Sequence, residues 1–102
     1  WCGPCRREMP VLADAQRRHP DVLFVFANQG EDAATVRGYL AAERLALSNV
    51  MLDPRWTLGP AVGSSGLPTT VIYDATGRRV HAHMGQIGAA ALAAALSSAA
   101  QR

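Results

Sequence analysis

Both cysteines of the chain stand in its first five residues, Trp1-Cys2-Gly3-Pro4-Cys5. Two thiols separated by two residues lie one helical turn apart and close a disulfide with little backbone movement. The same spacing also supplies half of a tetrahedral metal site. Redox chemistry is the better fit if the pair opens a helix. There, unpaired backbone N–H groups and the positive end of the helix dipole stabilise the Cys2 thiolate and lower its pKa. Cys2 is then the attacking nucleophile. Cys5, one turn further in and sheltered, is the resolving thiol that attacks the Cys2 sulfur and breaks a mixed disulfide. Pro4 suits the first helical turn, where its missing N–H costs nothing, and it stiffens the ring that the disulfide closes.

Two other constellations compete for notice. Glu8, three residues after Cys5, lies beside it on the edge of the buried helix face. A half-buried carboxylate there disfavours a second negative charge and raises the thiol pKa values, and once protonated it serves as a proton donor to a departing thiolate; the alternative is a solvated surface glutamate. His81 and His83 alternate along a late strand, and with Cys2 and Cys5 they would make a Cys₂His₂ zinc or copper set. An i, i+2 pair on the polar face of a hairpin is more simply exposed.

These residues need elements to hold them. The first helix is expected from Cys2 to Arg18, ending before His19-Pro20, with a kink at Pro10. Val22–Ala27 is a continuous apolar run suited to a strand covered on both faces. A helix follows from Glu31 to about Arg44 with Val36, Tyr39 and Leu40 inward. A short strand runs over Val50–Leu52 and a short helix over Trp56–Val62. Trp56, Tyr39 and Met51 are read as core residues. Thr69–Tyr73 is a strand, Asp74-Ala75-Thr76-Gly77 a hairpin turn and Arg79–Met84 a second, strictly alternating strand. The last helix, about Gly88 to Ala99, docks through Ile87, Leu92 and Leu96.

The bulk numbers set bounds. A chain of 102 residues with 49% hydrophobic and 18% charged residues makes one globular domain over 1–102. The formal net charge of +2 is too small to imply nucleic acid or acidic lipid as a partner. All 10 basic residues are arginine, and pairs such as Arg6-Arg7 read as solvated helix faces.

WCGPC resembles the active-site motif of the thioredoxin superfamily. The longer run Trp1 to Pro10 (WCGPCRREMP), with Leu67-Pro68-Thr69-Thr70 before a late apolar strand, is similar to the extracytoplasmic TlpA-like and ResA-like reductases. The resemblance implies a thioredoxin-like α/β fold, three-layer α/β/α with a mixed sheet, and a cis peptide bond before Pro68 that packs this residue beside the CxxC. It implies that Trp1, Gly3, Pro4 and Leu67 contact substrate, that Glu8 tunes the pair and that no cofactor is needed. It further implies protein disulfides as substrates, in cytochrome c maturation or related thiol reduction, and a membrane thiol reductase as electron donor. The setting implied is the periplasm or the outer face of the bacterial membrane, with a cytoplasmic location as the alternative. In that family the CxxC follows a central strand that is absent here. It would lie between Val22–Ala27 and Thr69–Tyr73, so the chain is expected to be a fragment, with a membrane tether a possibility in the missing segment. A non-catalytic interaction module is the remaining alternative.

Overall fold

The free N–H groups of an opening turn and a proline with preset φ start a helix as soon as the chain leaves Cys2. In the computed structural model, which describes residues 2–101, helix α1 spans Gly3–Arg18 with Cys2 as its N-cap. It continues through Pro10, which lies on its exposed side. The chain then forms β1 (Phe26–Gln29), α2 (Ala33–Ala42), β2 (Val50–Asp53), α3 (Leu58–Val62), β3 (Thr69–Tyr73), β4 (Arg79–Met84) and α4 (Ala89–Ala100).

Several boundaries differ from expectation, each for a local reason. The strand expected over 22–27 begins only at Phe26, where Phe26 N–H bonds the Asn49 carbonyl and β2 starts to run alongside. Upstream of that point the backbone has no ladder partner. The segment is also covered on one side only: Val22 and Phe24 pack toward the core, while Leu23 is 76% and Val25 52% exposed. α2 starts at Ala33 because the Asp32 carboxylate caps Thr35 N–H at 2.8 Å. It ends before Arg44, whose φ of 55° leaves the helical region. The helix expected from Trp56 starts at Leu58, since Trp56 has a φ of 57°. The Asp53 carboxylate accepts Thr57 N–H and Leu58 N–H at 3.0 and 2.7 Å, and these bonds lower its pKa to about 2. Trp56 and Met51 are not core residues, at 47% and 58% exposure. The Trp56 ring lies over Gly30, where an added Cβ would come within 2.7 Å of it.

β1 and β2 pair in parallel, Phe26 opposite Val50. β3 and β4 form an antiparallel hairpin closed at Asp74, whose carboxylate collects the Thr76 and Arg78 N–H groups. One step of β3, from Ile72 to Tyr73, spans two on β4, from His81 to Arg79. This bulge breaks the strict alternation expected of β4 and separates Arg79 from the register of His81 and His83.

The core gathers on the hairpin. Ala15 of α1, Ile72 of β3, Ile87, and Leu92 and Leu96 of α4 form one buried cluster. The β1–β2 unit joins this body through Gln16, whose side-chain amide both donates to the Ser48 carbonyl and accepts Ser48 N–H, and through Arg6 stacked 4.9 Å over the Tyr39 ring.

As expected where a central strand is absent from a mixed sheet, the strands form two separate pairs among the described residues, one parallel and one antiparallel. A cleft of about 1120 Å³ lies between them, bordered by β1 and β3. Each of these strands therefore keeps one edge without a ladder partner, in the position where the family resemblance puts a central strand. Two-stranded units with open edges are marginal, and such edges are templates for another chain. The chain is expected to associate as its concentration rises from about 1 to about 100 µM and to unfold over a broad thermal range. Light scattering and calorimetry check this; a concentration-independent monomer with a sharp cooperative transition would contradict it.

Candidate active site

Helix α1 begins at the mouth of the cleft, so its first turn delivers both sulfurs there. Cys2 and Cys5 are joined as a disulfide, with Sγ–Sγ 2.04 Å and Cα–Cα 5.2 Å. Cys2 Sγ accepts the Cys5 N–H at 3.2 Å. This bond occupies one of the helix's free donors and would stabilise a thiolate at the same sulfur once the disulfide is reduced. Gly3 and Pro4 are exposed between the cysteines. The expected contrast between an exposed Cys2 and a sheltered Cys5 is absent, since both are half-buried. The physical reason is the cleft itself, which both cysteines line.

Leu67 and Pro68 line the same cleft, and the peptide bond between them is cis. Pro68 is buried and Leu67 half-buried. Hydroxyl groups fix the approach to this bend: Ser64 Oγ and Thr69 Oγ1 lie 2.7 Å apart and both donate to the Gly66 carbonyl. From the far side, Gly85 N–H donates to the Pro68 carbonyl at 2.8 Å.

Glu8 is deeper than the helix edge predicted for it, at 4% exposure. It lines the cleft with the two cysteines, and its Oε2 accepts Ile87 N–H at 2.9 Å. Burial pushes its carboxyl above the usual value of 4.5, while the Ile87 hydrogen bond and the nearby His83 pull the other way. A solvated surface role is therefore excluded. His83 is half-buried, with Nε2 3.1 Å from the Gln86 carbonyl, and His81 is exposed. Among the described residues, no three His, Cys, Asp or Glu side chains group as metal ligands would. Trp1 lies outside the described residues, so its expected substrate contact has no structural counterpart here.

Sequence reasoning missed Gln86, and it read Ile87 only as a docking side chain, not for its main-chain N–H. The Gln86 side chain accepts the Arg7 Nε–H at 3.1 Å, and the Ile87 main chain holds Glu8. A backbone donor has no sequence signature. The one available signal was Gly85, whose φ of 92° aims the following peptide back toward α1.

A scan against models of known protein families finds no match. The chain is 34% identical over 87 residues to the thiol:disulfide interchange protein DsbE homolog of Paracoccus denitrificans, covering 85% of this chain and 47% of that protein. It is 30% identical over 88 residues to the thiol-disulfide oxidoreductase ResA of Halalkalibacterium halodurans, covering 83% and 49%. The chain thus spans about half the length of these curated relatives. In three dimensions it matches the crystal structure of a putative thiol:disulfide interchange protein DsbE from Chlorobium tepidum. The TM-score is 0.74 at 26% identity, over 97% of this chain and 72% of that one.

The Glu8 environment has a measurable consequence for stability. Because burial in the folded chain raises the Glu8 pKa, folding favours the protonated form. Its contribution is complete below about 4.5 and is lost as pH rises through the raised value. Glu8→Gln keeps an acceptor for Ile87 N–H without the buried charge. The variant is expected to melt several degrees above the wild type at pH 8, with the gap closing toward pH 4, as thermal unfolding across that range would record. A variant less stable than the wild type at pH 8 would contradict this.

Proposed function

We propose that the chain, which is similar to thiol:disulfide interchange proteins over most of its length, is a member of the TlpA-like and ResA-like branch of the thioredoxin superfamily and acts as a thiol-disulfide oxidoreductase that reduces protein disulfides. The single observation that carries the reading is the Cys2–Cys5 disulfide at the N-cap of α1, in one cleft with the cis Leu67–Pro68 bend.

In the reduced chain the Cys2 thiolate, stabilised at the helix start, attacks one sulfur of a substrate disulfide. A mixed disulfide forms and the other substrate sulfur leaves as a thiolate, which takes a proton from solvent. Cys5 then gives its proton to the Glu8 carboxylate, whose raised pKa suits a base for a thiol, and attacks Cys2 Sγ. The Cys2–Cys5 bond closes, the second substrate thiolate leaves, and two electrons have passed from the dithiol to the substrate. Leu67, with Gly3 and Pro4 exposed opposite it, supplies the surface on which an extended substrate segment lies, and Pro68 shields the sulfurs from metal. Gly3-Pro4 is the pair found in thioredoxin and favours the reducing direction. The family resemblance supports an extracytoplasmic setting, protein substrates such as apocytochrome c, and a membrane thiol reductase as the source of electrons. Among the described residues no helix is long and apolar enough to cross a membrane.

Ellman's reagent tests the assignment of roles. The reduced wild type is expected to release two equivalents of thionitrobenzoate and end as the internal disulfide. Cys5→Ser releases one equivalent and retains the other as a stable mixed disulfide on Cys2. Cys2→Ser reacts at least about tenfold more slowly, because its remaining thiol lacks the cap position. Equal rates for the two single variants would overturn the assignment of Cys2 as the attacking sulfur.

A further inference from the structure

Glu8 and His83 make their hydrogen bonds to one and the same peptide group. The carbonyl of Gln86 faces His83 Nε2 at 3.1 Å, and the N–H that follows it, on Ile87, donates to Glu8 Oε2 at 2.9 Å. A carbonyl only accepts, so the imidazole carries its proton on Nε2 and the chain of donors runs from His83 through the peptide to Glu8. In a planar trans amide the C=O and N–H point in opposite directions, and a donor on the oxygen polarises the N–H as a donor in turn. The peptide is anchored on both sides: Arg7 Nε holds the Gln86 side chain, and Gly85 N–H holds the Pro68 carbonyl.

We infer that His83 is a positioning residue of the site, acting on Glu8 through the single peptide group that joins Gln86 to Ile87. It touches neither sulfur in the arrangement described above. Imidazole is the side chain whose charge changes between pH 5 and 8, and an imidazolium is the stronger donor. Protonated His83 strengthens the Ile87 N–H toward the carboxylate and adds an attractive charge, so it holds Glu8 ionised and makes it a weaker base. Loss of that proton releases the constraint. Few other ionisable groups bear on Glu8. Beside Glu8, α1 carries Arg6, Arg7, Asp14, Arg17 and Arg18; β3 carries only the exposed Tyr73; β4 adds the exposed His81 and Arg79; α4 has none; and Asp21, Glu31, Tyr39 and Asp74 line the same cleft. The consequence for Cys5 rests on the oxidoreductase reading, whereas the linkage between Glu8 and His83 does not.

Nuclear magnetic resonance on the oxidised chain tests the linkage without turnover. The Ile87 amide proton, the Glu8 carboxyl carbon and the His83 imidazole are followed from about pH 4 to about pH 9. The Ile87 amide is expected to show two inflections, one shared with Glu8 and one with His83. In His83→Gln, whose side-chain amide still donates to the Gln86 carbonyl, the second inflection disappears and that of Glu8 moves to higher pH. In His83→Ala the Glu8 inflection moves the same way and the amide proton also shifts upfield. An Ile87 amide that ignores the imidazole, or a Glu8 inflection unmoved in His83→Gln, overturns the inference. A chain that exchanges no disulfide yet shows these shifts would sink the enzyme reading and leave the linkage standing.

Discussion

The hydrogen bond from Ile87 N–H to the Glu8 carboxylate is the constraint on which the arrangement of the site depends. It crosses from the cysteine-bearing helix to the segment between β4 and α4, and it is made where water is scarce. Ile87 is itself the most deeply buried side chain of the core, at 1% exposure. The donor therefore has little freedom to move away, and the carboxylate has little water to turn to instead. A charge so placed is tolerable only because one donor is aimed at it, and the cost that remains appears as the raised pKa. The sulfurs, the carboxylate and the proline bend thus owe their relative positions to three short contacts around residues 85–87.

The rest of the molecule divides by how well it is buttressed. The hairpin, α4 and the inner face of α1 share one apolar cluster and a network of main-chain and hydroxyl bonds. The β1–β2 unit hangs on this body by the Gln16–Ser48 amide pair and the Arg6–Tyr39 stacking, contacts that position it without sealing the interface. The cleft between the two pairs of strands exposes Cys5 as much as Cys2. What distinguishes the two sulfurs chemically is the helix start, where Cys2 takes an N–H that Cys5 provides.

Much of this was legible from residue types alone. CxxC with a proline in the first turn fixed a helix and a disulfide, Asp74 to Gly77 fixed a turn, and the apolar runs fixed β3 and the docking face of α4, because each rests on periodicity or on one residue's dihedral preference. The chain also announced its two sulfurs and the Leu67-Pro68 bend as one site through family likeness. Tertiary structure decided the rest. Whether Val22 to Val25 formed a strand depended on a neighbour to bond, and the neighbour begins only at Val50. Whether Glu8 was a surface charge or a buried one depended on what packed over the helix edge. The pairing of Glu8 with His83 depended on a peptide group whose donor and acceptor look the same in every sequence. Local preferences act within a few residues and can be read from the chain, whereas burial and main-chain partners are set by segments far apart in sequence that meet only when the fold closes.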